Sequence, residues 1–346
     1  MSQPNSPPSN LVVAPSPHIH NGIFTPRIML DVVVALLPLA AWGVYAFGLP
    51  ALMHIVICVL AAPLFEALFN LMAKKKNTLG DGSAVVTGLI LALSLPAAAP
   101  WFVSVIASLI AIGIGKFVFG GLGQNIFNPA MVGRAFVMIG FSQYVGGNAY
   151  LVQKTAESSE VIGRYITQAT PLSGGTHADL WQAFVGMHNG SIGETSGVLI
   201  LLGFAWLLFR RVIAWDLPLA AIATFVVLTG LGQFAFRLLP LETLKLTFPL
   251  LATKLQLTTV QHLFAGSFLF GCVFIITDPV TNPMSRLGRI LFGVGFAVLV
   301  WIFRIFSSYP EGVMFAVLIM NACSPLLDRF CVPKPVGGPL PAKKKV

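Results

Sequence analysis

Ten apolar runs dominate the 346-residue chain, and several are long enough for a helix to cross a bilayer. They are Ile28–Phe47, Ala51–Met72, Ser83–Leu95, Phe102–Phe119 and Ala130–Phe141, then Gly197–Phe209, Leu217–Phe236, Leu263–Ile276, Ile290–Phe306 and Val313–Leu327. A helix needs about 20 apolar residues to span a hydrocarbon core of about 30 Å. In lipid it satisfies its own backbone hydrogen bonds, which an open strand cannot do. Composition closes off the alternatives. Only 10% of residues are charged and 56% are apolar, against about 25% charged in a soluble domain. Such a chain cannot cover itself for water, and it is too apolar to be disordered. Its +9 net charge is spread too thinly for a broad basic face, so no nucleic-acid partner is expected. The predicted fold is an all-α polytopic integral membrane protein with about ten transmembrane helices.

The basic residues orient those helices. With the N-terminus in the cytoplasm, the inside loops hold 14 Lys and Arg and the outside loops hold 5, while Arg134 and Arg304 fall within spans. Cytoplasmic loops carry such an excess. Both ends are therefore expected inside, with the long polar stretch outside. The N-terminal tail, with five prolines before residue 20, lacks the pattern of a cleaved signal.

A faint repeat divides the chain. Ser83–Leu95 is followed by Pro96 and Pro100, and Leu263–Ile276 by Pro279 and Pro283. A full span comes after each pair, then a Gly- and Pro-containing turn and a final helix. Five spans per half is an odd number, so two related halves must be inverted in the membrane, an arrangement that is urea-transporter-like. Paired short or broken helices in inverted repeats point to a binding site near the midplane. The expected organisation is a cytoplasmic tail (1–27), a first five-helix repeat (28–141), an outer loop (142–194), a second repeat (195–330) and a basic cytoplasmic tail (331–346).

Polar residues at the ends of the short helices are the candidates for chemistry. Asp81 and Ser83 open the third helix, where N–H groups attract anions, although both are also ordinary capping residues. Thr87 and Gly88 lie one turn on and would let a flat ligand approach the backbone. The turn Gly120–Pro129 gathers Gly123, Asn125 and Asn128, and amides can read a ring edge. Arg134 lies in the next helix, and an intramembrane arginine usually faces a partner or polar cavity, unless it snorkels to the interface. Asp278 ends the eighth helix, where it could hold a cation, relay a proton or bond a ligand, or simply form a turn. Asp31 and Glu66 lack a sequence-visible partner, and His54 fits a packed residue. The four cysteines include no C-x-x-C pair, so no metal or cluster site is expected.

Several of these stretches jointly resemble one family. They are Ser16–His20 with Arg27–Asp31, Asp81–Ala84 through Leu93–Pro96, Gly120–Asn125 with Phe127–Ala130, Ile276–Thr281, and Tyr309–Val313 with Leu326–Arg329. The chain is similar to the NqrB/RnfD family. Its members are the D component of the Rnf ion-translocating oxidoreductase complex, which the chain resembles most, and the related B component of the Na⁺-translocating NADH:quinone oxidoreductase. The resemblance implies FMN joined through its phosphate to a threonine in the outer loop. The corresponding motif here is Thr167-Gln168-Ala169-Thr170, with Thr170 as the attachment residue; Gln168 stands where the family has a small residue. It further implies a non-covalent riboflavin near the paired short helices.

By the same resemblance the chain is one component of a bacterial inner-membrane translocase. Its partners would be the A, B, C, E and G components of the Rnf complex, membrane lipid, and a flavin transferase acting on the periplasmic loop. It would relay electrons and couple them to Na⁺ or H⁺ movement. NADH and ferredoxin would react on other components, because this chain has no nucleotide motif and no cluster ligands. The rival expectation is a stand-alone channel or transporter for a small neutral solute such as urea or ammonia, which inverted five-helix repeats fit equally well.

Overall fold

The computed structural model describes residues 24–75, 78–146, 150–151, 167–168, 180–186, 190–238, 258–264, 266–307 and 312–332. The first half opens with two long helices, α1 (Thr25–Phe47) and α2 (Leu49–Met72), which meet at Gly48. The short α3 (Ser83–Ser94) follows, then α4 (Trp101–Ile112), which continues as a π turn over Gly113–Phe117. α5 (Pro129–Gly140) ends the half. Between the halves lie α6 (Ser142–Val145), the antiparallel pair β1 (Tyr150–Leu151) and β2 (Thr167–Gln168), and α7 (Leu180–Val185). The second half comprises α8 (Gly197–Phe209), α9 (Asp216–Leu238), α10 (Thr259–Phe264), α11 (Phe268–Phe270) with a π turn over Gly271–Ile275, α12 (Arg286–Phe306) and α13 (Val313–Phe330).

Five of these helices are long and apolar enough to cross a membrane, and four shorter apolar helices accompany them among the described residues. The fold is thus all-α and polytopic. Leucine, valine and aromatic side chains point outward along α1, α2, α8 and α9, as lipid-facing surfaces do. The eighth run is not one continuous helix. The chain breaks between α10 and α11, where Gly266 has φ +76°, a value that favours glycine.

Helices in corresponding places of the two halves pack on one another: α1 against α8, and α5 against α13. Asp31 of α1 also pairs with Arg210 at the end of α8, at 3.0 Å, so Asp31 has a partner from the other half. Gly88 has a packing role. A Cβ there would strike the backbone of Cys58 and Val59 in α2, so its bare backbone serves the α2–α3 contact, not a ligand.

A candidate ligand cavity between the interrupted helices

The caps of the short helices decide where polar groups gather. The N-cap of α3 is Gly82, with φ +74°. Asp81 therefore caps from one step back: its Oδ1 accepts from the Ser83 N–H at 2.8 Å and from Ser83 Oγ at 2.5 Å. Asn128 caps α5, its Oδ1 accepting from the N–H groups of Ala130 and Met131. Both N-termini face one cavity, lined by residues of both halves.

Its apolar walls come from α1 (Ile28, Met29, Val32), α3 (Val86, Ile90), the end of α8 (Leu207) and the turn after it (Ile213), with Phe274 from the second π turn. The polar lining consists of Ser83, Thr87, Lys116, Asn125, Asn128, Thr277 and Asp278. Both halves contribute, and so do both π turns. Such bulges inside helices often mark functional positions.

Five residues singled out from sequence thus converge on one cavity: Ser83, Thr87, Asn125, Asn128 and Asp278. Thr87 Oγ1 donates to the Ser83 carbonyl at 2.9 Å. Asn125 donates to the Phe127 carbonyl at 3.1 Å, but its buried Oδ1 accepts from no group of the described residues. Asp278 accepts from the Val280 N–H and from Thr281 Oγ1, each at 3.3 Å. Asp278 is therefore a turn former and a cavity residue at once.

The other candidates lie elsewhere. Gly123, with φ +89°, shapes the turn between Leu122 and Asn125 but does not itself line the cavity. Arg134 points away from it. Its Nη1 donates to Glu194 Oε1 at 2.8 Å, and Nη2 approaches Ser191 Oγ at 3.5 Å. The same segment docks on the end of α3, where the N–H groups of Ile192 and Gly193 donate to the carbonyls of Leu95 and Leu93. Thr167 lies in β2, its Cα opposite that of Leu151. Thr170 lies outside the described residues. His54 is packed, with Nδ1 2.6 Å from Ser104 Oγ.

Sequence reasoning misses Lys116. It sits in the apolar run Gly113-Ile114-Gly115-Lys116-Phe117, and the orientation count takes it for a loop cation. In the structure it is 3% exposed. Its Nζ donates to Glu66 Oε1 at 2.7 Å and to Ser83 Oγ at 2.6 Å. Removing it from the inside count leaves 14 − 1 = 13 against 5, so the bias stands. The available signal is a lone lysine between glycine and phenylalanine in lipid-length sequence, with an equally isolated Glu66 in the neighbouring span.

The fold and cavity define a multi-pass membrane protein with an interior cavity assembled from both halves of the chain. The family described as NQR2, RnfD, RnfE matches residues 12–337, and the chain belongs to it. It is 39% identical to the D component of the ion-translocating oxidoreductase complex of Stutzerimonas stutzeri, over 90% of this chain and 92% of that one. It is 34% identical to the D component of the Na⁺-translocating ferredoxin:NAD⁺ oxidoreductase complex of Acetobacterium woodii, over 93% of each chain. It is 36% identical to the proton-translocating counterpart of Clostridium ljungdahlii, over 94% of this chain and 96% of that one.

Proposed function

We propose that this chain is the electron-relaying membrane component of an Rnf-type ion-translocating oxidoreductase, and that the cavity between its interrupted helices holds the isoalloxazine ring of a non-covalent flavin such as riboflavin. The observation that carries the reading is the cavity lining. A flat redox ring needs apolar walls, close backbone approach and a few edge-reading polar groups. Val86, Ile90 and Phe274 supply the first, and Asn125, with its open buried acceptor, supplies the last. The flavin supplies reversible electron storage; the protein's part is to orient it, exclude water and set its potential. Asn128 and Asp278 hold the two helix breaks against the ring, and Ser83 and Thr87 line its edge.

A second flavin, FMN, is attached through its phosphate to Thr170, in the outer segment that also carries Thr167. A flavin transferase working on the periplasmic side would load it. Both termini then lie in the cytoplasm, and the other Rnf components carry the reactions with NADH and ferredoxin. The relatives at 34% and 36% identity are named for different ions, so the likeness itself favours neither Na⁺ nor H⁺.

Denaturing electrophoresis of the purified complex under ultraviolet light tests the covalent site. A fluorescent band at this polypeptide, lost in Thr170→Ala, is expected. A band that persists in the alanine variant overturns the attachment residue. A complex with no flavin, passing a neutral solute in liposomes, overturns the function.

A further inference from the structure

The buried ammonium of Lys116 lies between two cavities. On one side is the flavin cavity proposed above, which Lys116 lines together with Ser83. On the other is a smaller cavity bounded by Glu66, Asn70, Thr78 and Gly121. Glu66 is 5% exposed. Its Oε1 accepts from Lys116 and, at 2.6 Å, from Thr78 Oγ1, which in turn accepts from Asn70 at 3.0 Å. Its Oε2 accepts from no group of the described residues. On the cavity side Lys116 donates to a neutral hydroxyl, Ser83 Oγ, which itself donates to Asp81. The chain Asn70–Thr78–Glu66–Lys116–Ser83–Asp81 thus crosses from the smaller cavity to the edge of the larger.

Resting on the cavity reading above, we propose that Lys116 tunes the flavin's potential and that Glu66 sets how much of its charge the ring feels. One electron, delivered by a donor protein that is oxidised in the same step, adds one unit of negative charge to the ring. A nearby cation in a low-dielectric site stabilises that charge. The lysine stem is flexible, and it rises from a π turn, so Nζ can lean toward the ring at the expense of Glu66. While Glu66 holds it, the pair is close to neutral and the ring feels little.

The two partners therefore have opposite effects, which a purely structural ion pair would not show. The test is a spectroelectrochemical titration of the acid-extractable flavin in the intact complex, in a Thr170→Ala background that removes this chain's covalent flavin. Lys116→Met should weaken binding of the reduced ring relative to the oxidised ring at least tenfold, lowering the one-electron potential by about 59 mV or more. Glu66→Gln should raise it. Lys116→Arg should keep it near the parent value. Lys116→Met with Glu66→Gln removes both charges, so it tests the same point without a lone buried charge, and should return near the parent value. Extractable flavin with an unchanged or higher potential in Lys116→Met overturns the role of Lys116. Complete absence of extractable flavin from the parent complex instead overturns the cavity reading, and this role with it.

Discussion

Asn128 Nδ2 donates to the Ile275 carbonyl at 3.3 Å, tying the cap of α5 in the first half to the π turn of the second. The same side chain caps α5 through Oδ1. One amide therefore holds both helix breaks that border the cavity. Asn128→Asp should keep the cap and lose the cross-link. A buried carboxylate would then face that carbonyl, so thermal stability should fall by about 1–3 kcal/mol and retention of extractable flavin should fall with it. Asn128→Leu should lose the cap as well, costing about 0.5–2 kcal/mol, read as a lower unfolding midpoint in detergent. Equal flavin retention in all three proteins would show that the cross-link does not shape the site.

The Arg134–Glu194 pair is expected to be structural. Its side chains are 6% and 1% exposed, at 2.8 Å, and it fastens the 190–196 segment to α5. Removing one partner of a buried pair unbalances its charge and costs about 3–5 kcal/mol. Glu194→Gln should therefore lower the yield of folded protein sharply, and Arg134→Met combined with Glu194→Leu should restore much of it. Loss of flavin from a Glu194→Gln protein of undiminished stability would instead assign the pair to the site.

Gly88 gives a sharper packing test. A Cβ there would lie 3.2 Å from Val59 Cα and 2.9 Å from the Cys58 carbonyl carbon, inside ordinary contact. Gly88→Ala should destabilise the α2–α3 contact by about 1–3 kcal/mol, the usual cost of overpacking. Gly80 has no atom within 4 Å of such a Cβ, so Gly80→Ala is the control and should leave the thermal midpoint unchanged.

Much of this fold is legible in the sequence because lipid leaves a chain few options. The long helices and the short α3 fall where the apolar runs predict, since unsatisfied backbone is prohibitive in hydrocarbon. The break before α11 is hidden, because Gly266 and Ser267 sit in a run whose hydropathy barely dips. Ser83, Asn125, Asn128 and Asp278 can be found because polar residues cluster at helix breaks. Arg134 is drawn to the site by the same rule but pairs with Glu194, a contact 60 residues apart that no local pattern encodes. Lys116 and Glu66, 50 residues apart, escape for the same reason. Each looks isolated, and the ion pair exists only once α2 and α4 pack together.

The most direct test of the account is to fill the cavity and count flavin. Thr87→Trp places a large ring among Val86, Ile90 and Phe274 without touching Thr170. The complex carrying it should keep the fluorescent band of this polypeptide on a denaturing gel and lose the flavin that acid releases from the parent. If a stably assembled variant still yields the parent amount of extractable flavin, the cavity between the interrupted helices is not where that flavin sits.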